Sequence, residues 1–391
     1  MKRIKSMAAE LQPELLRIRR HLHAHPELSF QEFETSRFVK DYLTASGIPF
    51  QEMTETGVVG LIQGKNPQHK CIALRADMDA LPITEAGEMS YRSQNEGVMH
   101  ACGHDVHTTC LLGAAKILHD LRAEWEGSIK LIFQPGEEKS PGGASLMIAA
   151  GALENPAPAA IIGLHVDPAL PAGTAGFRPE QYMASADEIY MVIRGKGGHA
   201  ALPHLTIDPI AIAAQIITAL QQIVSRKNNA LTPTVLSFGK ISGGHATNVI
   251  PDTVELQGTL RTFDEIWRQE ALQLIRDISR QIASAFGGTV EINTPPGYPS
   301  LFNDESTTMA AESAATAYLG SSNIVRLERR MTAEDFSFYS LKTKACFFRL
   351  GTNFNNESLM APVHNAHFDI YEPVLETGVG LMSWIAMQLL R

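Results

Sequence analysis

The sequence predicts an α/β fold, in which a mainly parallel sheet flanked by helices is interrupted by an inserted ferredoxin-like α+β domain. Three observations predict it. The 391 residues exceed the roughly 250–300 at which a single hydrophobic core stops growing, so two domains are expected. In the first 184 residues, short continuously apolar runs alternate with helical patterns, as strands buried on both faces of a parallel sheet do. After Ala184 the pattern changes, and DEIYMVIRG (187–195) alternates like a strand with one exposed face. The expected division is a larger domain formed by residues 1–184 and 296–391, with 185–295 inserted.

Along the chain, residues 7–46 are charged and amphipathic and read as helix. The helix breaks at His25-Pro26, because proline lacks the N–H that a helical hydrogen bond needs. GVVGLIQG (57–64) and CIALRAD (71–77) read as strands. Asp105 to Leu121 has helical periodicity with Asp105 as its N-cap. SIKLIFQ (128–134) and AAIIGLHV (159–166) are apolar strands on either side of a helix from Ala144 to Ala152. The inserted region continues with a helix from Asp208 to Arg226 and strands TPTVLSFGKI (232–241) and TVELQGTLRTF (253–263). A helix from Asp264 to Phe286 and the strand GGTVEINT (287–294) complete the β-α-β-β-α-β order of a ferredoxin-like unit. The turn-rich TPPGYPS (294–300) leads into a helix-strand-helix tail.

Apolar residues make up 44% of the chain, enough for sizeable cores. A net charge of −9 without a basic block argues against nucleic acid as a partner. The N-terminus has a basic start but lacks the run of about 7–15 apolar residues of a secretory signal. No stretch approaches the about 18 apolar residues of a membrane span. The cysteines, Cys71, Cys102, Cys110 and Cys346, lack CxxC spacing and suit a reducing compartment. A cytoplasmic protein without membrane partners is expected.

The densest chemical pattern is His100-Ala-Cys102-Gly-His104-Asp105-Val-His107. Thiolate and imidazole are the usual ligands of zinc-like ions, and Gly103 lets the backbone turn so that Cys102 and His104 face one site. Glu137 and Glu138 follow the strand SIKLIFQ, where open α/β sheets bind ligands beyond the carboxyl ends of their strands. One glutamate suits a metal ligand and the other a proton carrier, although an isolated pair is more often a solvated turn. His165 closes an apolar strand; taken alone it suits a core histidine, and beside the other strand-end candidates a ligand. Asp77 and Asp79 follow CIALR, where buried carboxylates need a cation or hydrogen-bond donors, and they suit groups that orient histidines. His199 in GKGGHAALPH reads equally as a site residue or a loop histidine, and His204 as a surface one. Near the C-terminus His364 and His367 both offer a long-range ligand, and spacing does not choose between them.

The motifs LRADMDALPI, MHACGHDVHT, FQPGEE with GGA, GLHV, GKGGHAALPH, NVIPD, GTLRTF and AEDFSFY span nearly the whole chain. In this order the sequence resembles the aminoacylase/carboxypeptidase G-type metallopeptidase family. Within it, the chain is similar to the amidohydrolase branch that includes hippurate hydrolases and indole-acetyl-amino acid hydrolases. The resemblance implies a dinuclear catalytic domain, a lid that dimerises, and hydrolysis of the amide bond of an N-acyl amino acid. It implies Cys102, His104, Glu138, His165 and His364 as ligands of two divalent ions (zinc, manganese, nickel or cobalt). It further implies Glu137 as general base, Asp79 as a support of the metal site, His199 as a lid histidine that completes the site of a partner subunit, and Asn248 and Arg261 as substrate-binding residues. Ala366 departs from the family's frequent proline. A dipeptidase or carboxypeptidase would use the same machinery. A metal-binding protein with a dead site would lack a base or ligand, and a thiol enzyme would use Cys102 free of metal with His104 or His107 as base.

Overall fold

The computed structural model describes residues 1–354 and 361–391. It divides into two compact units. The larger comprises Met1–Glu180, Phe302–Glu328 and Asp335–Arg391, and the smaller Gln181–Leu301 and Arg329–Glu334. The smaller unit therefore takes a second short segment, 329–334, which the sequence division left in the larger domain.

The larger unit is built on an eight-stranded sheet. Its order is Phe50–Met53, Gly57–Gln63, Ser128–Gln134, Cys71–Asp77, Ala160–Pro171, Lys344–Asn353, Ala175–Phe177, Ile324–Arg326. The four central strands, from Ser128–Gln134 to Lys344–Asn353, run parallel. Every residue of Cys71–Asp77 and Ser128–Gln134 is buried, which is why apolar residues fall on both faces of these strands and do not alternate with exposed polar ones. Antiparallel pairings flank the parallel core; Phe50–Met53 and Gly57–Gln63 pair in this way because the turn that joins them is too short for a crossover.

Helices Lys2–Ala24, His104–Asp120, Glu305–Leu319 and Val374–Leu389 pack against one another. With Ile162, Leu164 and Val166 of the central strand they form one apolar core. The alternate residues of that strand face the other way, where Gly163 lies against Phe336 and Phe347. The break at His25-Pro26 separates helix Lys2–Ala24 from Phe33–Ala45. Two expectations are corrected. The strand carrying His165 runs on to Pro171, so His165 lies within it and not at its end. The metal-motif helix begins at His104 and is capped by Gly103, not by Asp105. The Asp105 carboxylate points instead to the buried Arg19 and His23.

The smaller unit has a four-stranded antiparallel sheet in the order Thr234–Ser242, Thr253–Thr262, Asp187–Arg194, Thr289–Asn293. Helices Pro209–Gln222 and Glu265–Ala285 pack on it in a second core. Asp208 and Asp264 cap them by accepting their first-turn amides, Ile210 at 2.8 Å and Ile266 at 2.9 Å. Along Asp187–Arg194, buried Ile189, Met191 and Ile193 alternate with outward-facing Glu188, Tyr190 and Arg194, the pattern of a half-covered sheet.

Candidate metal centre

The carboxyl ends of the four central parallel strands all feed one region of the larger unit. Asp77 ends the first of them and Asp79 follows, Glu137 and Glu138 follow the second, His165 lies in the third, and the chain beyond the fourth leads to His364. Cys102 and His104 stand at the start of the helix His104–Asp120. Gly103 permits this with a φ of +80°. A β-carbon there would lie 2.5 Å from Cγ2 of Val166, so only glycine lets this turn approach the His165 strand.

The structure brings all five candidate ligands together. Their donor atoms lie within 4.8 Å of one another in two triads, Cys102–His104–His165 and Cys102–Glu138–His364, which share Cys102. The Cys102 sulfur is 3.5 Å from Nε2 of His165, and Nε2 of His364 is 3.1 Å from Oε1 of Glu138. Glu137 also comes close to Glu138 and His104. His364 reaches this place because its amide donates to the carbonyl of Ala101 at 2.7 Å, beside Cys102. It does so with a φ of +63°, a conformation uncommon for a residue with a side chain. His367 is exposed, and it stands outside these donor groups, as does the buried His100.

Hydrogen bonds fix which ring nitrogens are available. Nδ1 of His104 donates to the carbonyl of Asp79 at 2.8 Å and lies 3.2 Å from its carboxylate. Its Nε2 is buried with no hydrogen-bond partner among the described residues. Nδ1 of His165 donates to the carbonyl of Val166 at 2.7 Å, which directs the Nε2 lone pair toward Cys102. Burial and the Arg349 cation hold this imidazolium well below its ordinary range, so the ring is neutral. Histidines that donate from one nitrogen and keep the other as a lone pair suit a metal. Hydrogen bonds to Cys102 and Glu138 push His364 up to about 10, which marks a donor set that draws positive charge. A shared sulfur with three imidazoles and a carboxylate therefore fits divalent ions of the borderline class.

His107 has a different task. Its Nε2 accepts the Val166 amide at 3.0 Å and its Nδ1 donates to Asp77 at 2.6 Å. Both nitrogens are engaged, so it cannot serve as a base for Cys102. Asp77 also takes Arg75 at 2.6 Å, and Arg75 in turn binds Gln134 at 2.8 Å and Asp335 at 2.9 Å. Asp79 accepts the amides of Glu137 and Glu138, each at 3.0 Å, and the Ser29 hydroxyl at 2.6 Å. Burial pushes the Asp79 carboxyl up, but the bonds from His104, Ser29 and Glu138 outweigh it and hold it below the usual range. The Asp335 amide donates to Oε1 of Glu137 at 3.3 Å. Arg75, Gln134, Ser29 and Asp335 were not singled out by residue type, because a charged or polar side chain carries no local mark of burial.

The remaining candidates belong to the smaller unit. His199 lies on the two-residue strand Gly198–His199, paired with Val249–Ile250, and the Ala200 amide donates to the Asn248 carbonyl at 3.0 Å. Arg261 sits on the strand Thr253–Thr262. Burial pulls its guanidinium down from its ordinary value. His204 is exposed. All four cysteines are free and buried.

The sequence model of peptidase family M20/M25/M40 matches residues 73–388. The chain is 45% identical over 301 residues to an N-acyl-L-amino acid amidohydrolase of Geobacillus stearothermophilus, covering 77% of this chain and 80% of that protein. It is 42% identical over 345 residues to an N-acetylcysteine deacetylase of Bacillus subtilis, covering 88% and 89%. A solved dinuclear metal-binding peptidase of the M20 family from Bacillus subtilis matches with a TM-score of 0.83 at 37% identity, over 98% of this chain and 99% of that one.

Proposed function

The chain belongs to peptidase family M20/M25/M40 and is a metal-dependent amide hydrolase, and on that premise we propose that it cleaves N-acyl amino acids at two divalent cations held by Cys102, His104, Glu138, His165 and His364. The convergence of these five donors around one shared sulfur, with Glu137 beside them, carries the proposal. Cations held there would polarise the scissile carbonyl and acidify water.

Glu137 takes the proton of the attacking water and returns it to the leaving amine. Asp79 fixes base and ligand together, since one carboxylate holds both of their amides. Nδ1 of His199 accepts the Ala201 amide at 3.1 Å, so a neutral ring carries its proton on Nε2. That N–H suits a developing oxyanion. Arg261 is partly buried, and its planar fork suits the substrate carboxylate. Asn248 is assigned to the same substrate. In support of a homodimer formed through the smaller unit, Thr234–Ser242 is an edge strand with Val235 38% and Ile241 58% exposed.

A panel of N-acetyl, N-benzoyl and longer N-acyl amino acids, assayed with added zinc, manganese, nickel or cobalt, tests the substrate class. Metal-dependent release of a free amino acid is expected. Cleavage of dipeptides with none of the N-acyl amino acids would replace this reading by a dipeptidase.

A further inference from the structure

Three consecutive amides of the loop that carries Glu137 and Glu138 end on two buried carboxylates. Those of Glu137 and Glu138 end on Asp79, and that of Gly136 donates to Oε1 of Glu32 at 2.8 Å. Glu32 lies between the first two helices and is wholly buried. It is held from three sides. Its Oε1 also accepts the Phe30 amide at 2.8 Å, and its Oε2 accepts the Thr56 hydroxyl at 2.8 Å.

The segment around Glu32 is shaped to the same loop. Ser29 donates to Asp79 at 2.6 Å. The Phe30 ring lies where a side chain on Gly136 would begin: a β-carbon there would meet it at 2.2 Å, and Gly136 has a φ of +59°. Burying a carboxylate is costly, and three donors offset that cost here, which an apolar side chain would leave without an acceptor. Burial and the nearby Asp79 charge push Glu32 up to about 7, so a neutral acceptor of the same length suits this place.

We propose that Glu32 is a positioning residue for amide hydrolysis, which sets the place of the Glu137 carboxylate by holding the Gly136 amide. The inference rests on Glu137 as the base. Its content is reach and not charge, so two conservative variants separate it from a merely structural role. Glu32→Gln keeps an acceptor at the same distance, whereas Glu32→Asp keeps the charge and withdraws it by one methylene.

Steady-state kinetics of the full-length enzyme should show kcat of Glu32→Asp lowered roughly 10–100-fold, as a misplacement near 1 Å implies. KM and metal content should stay at wild-type values, and Glu32→Gln should keep most of kcat. Wild-type kcat in Glu32→Asp, or an equal loss in Glu32→Gln, overturns the proposal. If Glu32→Asp does not fold, amide exchange of the wild-type enzyme decides. Gly136 protected as well as Glu137 and Glu138 supports the proposal, and exchange at the rate of an open loop overturns it. Glu137→Gln, assayed beside these variants, keeps the two readings apart. If it retains turnover, the base assignment fails. If it is inactive while Glu32→Asp is fully active, only the role of Glu32 fails.

Discussion

His104 and Asp79 are joined twice, with Nδ1 of the imidazole 2.8 Å from the Asp79 carbonyl and 3.2 Å from its carboxylate. The backbone bond sets the tautomer and the carboxylate strengthens the ring as a donor at Nε2. Replacing Asp79 by alanine is expected to lower metal affinity by roughly 10–100-fold. Chelator competition measures this, and an affinity equal to wild type would remove Asp79 from the support of the metal site.

Cys102 is common to both donor triads, so Cys102→Ala should weaken both ions and not one. Elemental analysis after dialysis should find fewer than two ions per chain. Full occupancy at wild-type affinity would show that the sulfur is not a shared ligand. A chelator should abolish turnover of the wild-type enzyme and added metal should restore it, whereas an enzyme using Cys102 as a nucleophile would survive metal removal.

Much of the fold is legible because burial leaves a periodic trace. Cys71–Asp77 and Ser128–Gln134 carry consecutive apolar residues, Ile72-Ala73-Leu74 and Leu131-Ile132-Phe133, since both faces are covered, and Asp187–Arg194 alternates since one face is not. Phe50–Met53 leaves little trace, being a short edge strand with no fully buried residue. In the candidate site, the cluster from His100 to His107 is visible because its donors are adjacent in sequence. The division between Glu137 and Glu138 and the choice of His364 came from the family pattern alone. The buried ion network is not legible at all. Arg19 is fully buried against Asp105 at 3.0 Å and Asp369 at 2.7 Å, partners supplied by distant parts of the chain.

His23 shares that network, with Asp105 at 2.8 Å on Nδ1 and Glu85 at 3.1 Å on Nε2. Burial and Arg19 pull its imidazolium down, but the bonds to Asp105 and Glu85 outweigh them and hold it above its ordinary value. A raised folded value means that the stabilisation is complete below the unfolded value, about 6.5. It is lost as pH rises through the folded value. Denaturant unfolding of wild type and His23→Gln should therefore show a stability difference that is largest near pH 6 and shrinks toward alkaline pH. A difference that grows with pH would contradict the charged assignment.

Arg261 should govern affinity for the free carboxylate of the substrate. Arg261→Leu is expected to raise KM by roughly 10–100-fold, the range of a charge-assisted hydrogen bond worth about 1.5–3 kcal/mol. The penalty should vanish for substrates whose carboxylate is capped as an amide. An equal penalty on both would assign Arg261 to another role.

The central claim is that Glu137 moves the proton while its neighbour Glu138 holds metal. It is tested most directly by measuring metal content and turnover of Glu137→Gln on the same preparation. Two ions per chain with kcat lowered by roughly 10²–10⁴-fold is the predicted result. Two ions with turnover near that of wild type would contradict it.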